Sequence, residues 1–340
     1  MNRRISIADV ARHANVSIAT VSRVINATGY PISPEVRIRV QAAIEALEYT
    51  PSLAAQRLRS DFNNVIGLIT RDISNSFFGE IAKGATERAM ELGHLSFICN
   101  TGRNPANEME FHELLWKNRV RGIILIGGGF DTTEYHNLLR RQVERCKRFG
   151  LKLVANTPQG TELPTVSVDL AAIAAQMTQY LVDHGHRTIG LITGEQGVLT
   201  SKGHLSGYST VLENRGLPFH QGLVRLQAFT EECGYTGCNE LLNHSPRPTA
   251  ICCGCDPIAT GVLHALHDAG MSVPGDVSLI SIGDTPIACH LRPALTSIRV
   301  PRYRMGARAV ELILANEPDM RHTELLPTEF IVRDSVRDIR

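Results

Sequence analysis

The side chains best placed to do chemistry in this chain lie between Ser6 and Asn26. Ser17, Thr20, Ser22 and Asn26 offer hydroxyl and amide groups, and Arg23 offers a planar fork of donors, all within ten residues. Ile18 and Ala19 add small apolar contacts beside them. Such a set can hold phosphate oxygens with its polar groups and read the edge of a guanine with its arginine. It holds no nucleophile paired with a base, so its chemistry is recognition and not bond breaking.

The elements that must position these groups can be read from spacing. Ser6 with Asp9 three residues later fits a capping box, and opens a helix at Ile7. Ile7, Val10, Ala11 and Ala14 recur at helical spacing and form one buried face. Asn15 falls where the chain must turn left-handed, a conformation that Asn tolerates best after Gly. Ser17 then caps a second helix. Val16, Val21, Val24 and Ile25 are expected inward, and Ile18, Ala19, Thr20, Ser22, Arg23 and Asn26 outward. The pair reads as a helix-turn-helix whose second helix enters a DNA major groove. The blander alternative is an amphipathic helix pair with a solvated face.

Ser33-Pro34-Glu35 starts a third helix that buries Val36, Val40, Ala43, Ile44 and Leu47. Tyr49-Thr50-Pro51-Ser52 closes this head. The segment SLAAQRLRS that follows is too short to be a stable helix alone, so a dimer partner or DNA must order it. Charge separates the same way. Residues 1–60 hold eight arginines against four acidic residues, and the rest of the chain holds 27 basic and 30 acidic residues. The head is thus +4 and the remainder −3, as phosphate contacts require.

From Asn64 the pattern changes to alternating strands and helices. Strands are expected at 65–70, 95–100, 122–128, 152–156, 188–194, 249–254 and 277–283. Helices are expected at 78–92, 105–118, 171–184, 203–215, 231–243 and 257–269. Repeated βαβ units imply parallel sheets covered on both faces, in two runs separated near residue 161. Ligands of such folds bind at the carboxyl ends of strands, so the cleft between the two runs is the expected pocket.

No constellation for catalysis or cofactor binding is found. GIILIGGGF does not make the dinucleotide fingerprint, and no phosphate-binding Walker loop occurs. His184 and His186 read as a helix end and loop. The eight cysteines read as reduced thiols, with no zinc-finger spacing, and no metal or cofactor is expected. Neither a secretion signal nor a membrane span is legible, which points to a cytoplasmic protein.

These residues resemble the lac repressor/GalR family of bacterial transcription regulators. The likeness runs from about Ile5 to Asp334. It rests on IADVARHANVSIATVSRVIN, SPEVRIRVQAAIEALEYTPSLAAQRLRS, IGLITRDISNSFF, DHGHRTIGLITG, VPGDVSLISIGD, LRPALTSIRVP and LLPTEFIVRDS in combination. It implies an α/β fold with a three-helix helix-turn-helix head (1–50), a hinge helix (51–61) and a periplasmic-binding-protein-like body (62–340). The body would be two doubly wound parallel-sheet subdomains, one from 62–161 and 293–320, the other from 162–292 and 321–340, with crossovers near 161–166, 290–294 and 319–323.

The resemblance assigns base reading to Ile18, Ala19 and Arg23. Phosphate contacts fall to Thr20, Ser22 and Asn26, with Ser6 and Ser17 at the DNA-facing helix starts. Leu58 becomes the hinge leucine that wedges into the minor groove at the central CG step of a palindrome. A homodimer is implied, and the absence of a heptad tail after the last strand speaks against a tetramer. The implied function is repression of carbon-metabolism genes under control of a small effector.

For the effector cleft the resemblance and the residues together nominate Arg71, Phe77, Phe78, Asn156, Lys202, His204, Phe229, Asp256 and Asp284. Three positions depart from the family pattern: His204 replaces an Arg, Gly283 an Asp, and Cys255 an Asn. These are groups that commonly grip sugar hydroxyls. Arg71, Lys202 and His204 together would make the cleft basic and favour a sugar acid or sugar phosphate. Control by a protein partner instead of a small molecule is the alternative, and a solute-binding protein without a DNA role is a more distant one.

Overall fold

The computed structural model describes residues 5–26, 31–49, 63–315 and 322–340. The chain divides into two compact units, Met1–Asn63 and Asn64–Arg340. Leu58 and the expected hinge helix lie outside the described residues, as does the side chain of Asn26. Among the described residues no helix is long and apolar enough to cross a membrane.

The smaller unit has three helices: α1 (Ile7–His13), α2 (Ile18–Asn26) and α3 (Pro34–Ala46). The Ser6 amide donates to Asp9 Oδ2 at 3.0 Å, and the Ser6 hydroxyl donates to the same oxygen at 2.6 Å. Asn15 turns the chain with φ +51°, as its place in the sequence demands. Ser17 Oγ then accepts from the Thr20 amide at 3.1 Å and starts α2. Val10, Val21, Val24, Val40 and Ala43 form the small core, closed by Tyr49. Glu48 carries φ +48° where a glycine would be unstrained, a cost of about 1 kcal/mol.

The larger unit is built on two six-stranded sheets. The first contains β1 (Val65–Thr70), β2 (Leu95–Asn100), β3 (Gly122–Ile126), β4 (Lys152–Ala155), β5 (Thr165–Ser167) and β11 (Thr323–Leu325), in the order β11-β5-β4-β3-β1-β2. The second contains β6 (Ile189–Thr193), β7 (Val224–Leu226), β8 (Ala250–Cys253), β9 (Ser278–Gly283), β10 (Thr296–Arg299) and β12 (Glu329–Ile331), in the order β12-β10-β9-β8-β6-β7. The first sheet is parallel throughout; in the second only β12 runs antiparallel.

Helices α4 (Ser76–Glu91), α5 (Pro105–Lys117) and α6 (Thr133–Arg148) connect strands of the first sheet, and α12 (Arg302–Leu314) packs on α4. Helices α7 (Leu170–Asp183), α8 (Leu199–Asn214), α9 (Glu231–Leu242), α10 (Asp256–Asp268) and the short α11 (Pro286–His290) belong with the second sheet.

Sheet membership moves the chain crossings a few residues later than expected. Strand β5 pairs with β4, so the first lobe runs past residue 161. Strand β10 pairs with β9 in the second lobe, and β11 pairs with β5 in the first. The crossings therefore lie just after Ser167, just after Arg299 and just after Leu325. These strands are three or four residues long, too short to show a period in sequence. The second crossing is a tight turn. Pro301, at φ −77° and ψ 59°, sits at the centre of an inverse γ-turn closed by the Arg302 amide donating to Val300 O at 2.8 Å.

Each lobe is locked by helices in backbone contact. A Cβ on Gly84 would collide with the Tyr303 carbonyl, and one on Gly306 with that of Ile81, so α4 and α12 need both glycines. Gly207 meets the Ala171 carbonyl where α8 crosses α7. Gly234 and Gly261 meet backbone carbonyls where α9 crosses α10. Gly306→Ala is expected to destabilise the protein by about 1–3 kcal/mol through overpacking, read as a lowered urea midpoint. Gly79→Ala, whose added Cβ finds its nearest neighbour at an ordinary 3.7 Å, should leave the midpoint unchanged or raise it. A Gly306→Ala variant as stable as Gly79→Ala would show that close approach does not govern this position.

Candidate functional site

Two faces gather the expected functional residues, one on each unit. On the head, α2 presents Ile18 (51% exposed), Ala19 and Arg23 to solvent, with Ser17 exposed at its start and Thr20 half-buried. Ser6 is half-buried in its cap. Ser22 departs from its expected outward position. It is only 9% exposed, because it flanks the inward stripe of Val21 and Ile25 and is small enough to be covered.

On the body, the carboxyl ends of both sheets converge on one cavity of about 110 Å3, room for several waters or one small ring. Each lobe brings an aromatic wall. Phe77 and Phe78, at the start of α4, meet edge to face with centroids 5.7 Å apart. Phe229, after β7, stands edge-on to His204 at 6.5 Å. All four residues line the cavity, as does Phe130 after β3, which sequence reasoning did not single out.

The expected basic cleft does not form. Arg71 lines the cavity but is buried and ion-paired with Glu108 of α5. Its guanidinium also donates to Gly128 O at 3.0 Å and to the Tyr135 hydroxyl at 3.2 Å, and it lies over the Phe130 ring. The Tyr135 hydroxyl lies 2.8 Å from both Glu108 Oε1 and Gln159 Oε1, and can donate to one at a time. Lys202 sits outside the cavity lining and pairs with Asp131 at 2.8 Å. His204 is fully buried, and burial pushes its pKa down to about 4, so it is neutral at pH 7. Its Nδ1 lies 2.9 Å from Thr193 Oγ1.

Three further nominated groups are committed to the frame and do not line the cavity. Asp256, the first residue of α10, accepts from Ser281 Oγ at 2.6 Å, and from the Thr285 amide and hydroxyl at 2.6 and 2.7 Å. Burial pushes this carboxyl up from its ordinary value, against those hydrogen bonds and the nearby Arg302. Asp284 is held by Arg299 and Arg333 at 2.7 and 2.6 Å. Asn156 donates to Met305 O at 2.9 Å. Arg302, not foreseen, fastens α12 to the second lobe by donating to the carbonyls of Gly283 and Asp284.

On one side the lobes meet directly. The loop after β3 and the loop after β6 form an isolated antiparallel bridge, Phe130 with Val198. The Asp131 amide donates to Gly197 O at 2.6 Å, and the Leu199 amide to Gly129 O at 3.0 Å. The glycine run permits this approach, since a Cβ on Gly128 would strike Thr200 Oγ1 across the cleft. The run was legible in the sequence; its purpose was not.

Head and body together define a class: a helix-turn-helix unit joined to a two-lobed body of the kind that closes on small ligands. Residues 6–52 match the model of bacterial regulatory proteins of the lacI family, and residues 178–336 match a periplasmic binding protein-like domain. The chain is 34% identical to catabolite control protein A of Priestia megaterium over 314 residues, 91% of each chain. It is 32% identical to the HTH-type transcriptional regulator DegA of Bacillus subtilis over 97% of each chain. The fold superposes on a lac repressor dimer bound to operator and the anti-inducer ONPF with a TM-score of 0.88 at 22% identity, covering 98% of this chain and 100% of that one. The chain belongs to the lacI family, and is a DNA-binding transcriptional regulator and not an enzyme.

Two predictions follow from the buried charges. Glu108→Gln leaves Arg71 buried without its counter-ion and should cost about 3–5 kcal/mol, measured by urea unfolding. Arg71→Met combined with Glu108→Leu should recover most of that loss, and a double variant as unstable as the single one would refute the ion-pair account. His112 and His204 both have pKa values lowered to about 4, chiefly by burial. The unfolded chain binds their protons more readily, so their stabilising contribution is complete above about pH 6.5 and is lost as pH falls toward 4. His204→Gln should flatten this acid-side slope of the thermal midpoint, and an NMR titration should find the His204 ring neutral from pH 8 to 5.

Proposed function

We propose that this chain is a repressor that holds a palindromic operator as a homodimer, under control of a small molecule bound between the body's lobes. The observation that carries the effector reading is the cavity itself. It is lined from the carboxyl ends of strands in both sheets, so a ligand there contacts both lobes at once. A ligand that favours one mutual orientation of the lobes shifts the population toward it, by no more than its difference in affinity for the two states. The relatives' names, catabolite control protein A among them, support a role in carbon metabolism. The lac repressor complex with operator and anti-inducer supports joint control by DNA and a small ligand.

For DNA, the reading rests on the solvent-facing Ile18, Ala19 and Arg23 of α2, with Thr20 and Ser17 toward phosphates and Asn26 and Leu58 in the roles the family gives them. For the homodimer, support comes from β2. This edge strand exposes Leu95 (65%), Phe97 and Ile98 (47% each) beside inner strands that are buried, and such an edge invites a second copy.

Operator binding tests this directly. Selection from random DNA should return a palindrome with a central CG step, with affinity falling steeply as salt rises. Arg23→Ala should weaken binding by about 1–3 kcal/mol and relax the preference at one base per half-site. Leu58→Ala should abolish the preference for the central step. Unchanged affinity and sequence preference in both variants would refute the assigned mode.

A further inference from the structure

We infer that the ligand of the body's cavity is an aromatic carboxylate carrying a single negative charge, and not a sugar. The inference deepens the effector reading above and rests on it. Most of the polar groups that the sequence nominates to hold a ring of hydroxyls are already spent. Asp256, Asp284 and the Arg71 guanidinium each satisfy partners within the protein, and Asn156 gives its amide nitrogen to Met305 O while its Oδ1 stays unpartnered; Asp256, Asp284 and Asn156 do not line the cavity. A buried hydroxyl without a partner costs about 1–3 kcal/mol, so a monosaccharide with several of them would be poorly held here. What faces the cavity is mainly hydrocarbon: Phe77, Phe78, Phe130 and Phe229, with aliphatic side chains between them. Phenyl rings from both lobes around one space favour a planar ring, edge-on to some and stacked on others.

Arg103 supplies the charge. It lines the cavity from the loop after β2, and its guanidinium has no carboxylate partner among the described residues. It is close enough to the opposite lobe that its charge acts on the Cys255 thiol. Its backbone is held at φ +63°, directly after Gly102 at φ +60°, by its amide donating to Arg71 O at 3.1 Å. A residue with a Cβ in that region is strained, and such strain collects at ligand sites. A second observation points the same way. Thr157 lines the cavity, is only 8% exposed, and its Oγ1 has no hydrogen-bond partner. The oxygen itself is covered, so a rotation of the side chain would have to bring it to a ligand carboxylate or ring hydroxyl. Exposed Glu195, on the second lobe's side of the lining, repels anions and weighs more heavily on a doubly charged phosphate ester than on a monocarboxylate.

The test is calorimetry on the full-length dimer with four groups of probes. These are aromatic monocarboxylates (benzoate, phenylacetate, 3-phenylpropanoate and their 4-hydroxy forms), the matching neutral amides, glucose and ribose, and glucose 6-phosphate. The expected result is binding of at least one carboxylate, at least tenfold tighter than its amide. Arg103→Gln should abolish that tenfold difference, and Phe229→Ala should weaken acid and amide alike. Tighter binding of a sugar or sugar phosphate would overturn the ligand class while leaving the cavity as an effector site. Binding of none of the probes, by a protein that still holds its operator, would overturn the class and the small-molecule reading together.

Discussion

A charge removed from water must be compensated within the protein, and the body of this regulator is arranged around that constraint. Arg71 in the first lobe and Asp256 in the second both sit at the strand ends that meet the cleft, and both are buried. Glu108, Tyr135 and the Gly128 carbonyl are drawn toward the first; Ser281 and Thr285 are drawn toward the second. These partners come from different elements: α5, α6 and the loop after β3 in one lobe, β9 and the start of α11 in the other. Compensation therefore fixes how the loops at the carboxyl ends are held. Arg302 extends the same logic across the second crossing, since its guanidinium grips carbonyls of the lobe that its own helix does not belong to.

The outcome at the cleft is a division of labour. Side chains that look like ligand hooks in the sequence serve as internal ties, and the surface left for a ligand is aromatic and sparsely polar. The contact between Phe130 and Val198 joins the two loops by backbone hydrogen bonds, which need no particular side chain. Lys202 and Asp131 add an exposed ion pair beside that contact, a form of pairing that contributes less than about 1 kcal/mol.

Much of the fold was legible because it is written in period and capping. The Ser6 cap, the turn at Asn15, the inward stripe of α2 and the long strands β1, β2, β3 and β9 follow from local rules that tertiary packing did not override. The short strands β5, β10 and β11 were not legible, and with them the crossings were misplaced by several residues. Helix α6 was also absent from the sequence reading; its dense run of arginines masks the apolar stripe of Tyr135, Leu139, Val143 and Cys146. At the site, the aromatic residues Phe77, Phe78 and Phe229 were readable by position. The fate of the charged ones was not, because whether Arg71 faces a ligand or Glu108 depends on residues 37 positions apart meeting in space. Arg103 carried one readable signal, a glycine followed by a cation at the carboxyl end of a strand.

The γ-turn at Pro301 has a mechanical meaning. Proline admits only a narrow range of φ, the three-residue turn is closed by its own hydrogen bond, and the helix that follows is clamped to its neighbour through Gly84 and Gly306. The second crossing thus behaves as a stiff elbow, whereas the stretches after Ser167 and Leu325 are tied to each other by the Leu326 amide donating to Ser167 O at 2.8 Å. A turn closed on itself beside a paired couple of connections gives the lobes a preferred axis passing close to Pro301. Torque from a bound molecule would then emerge at the far side of the body as a directed swing and not as a general loosening.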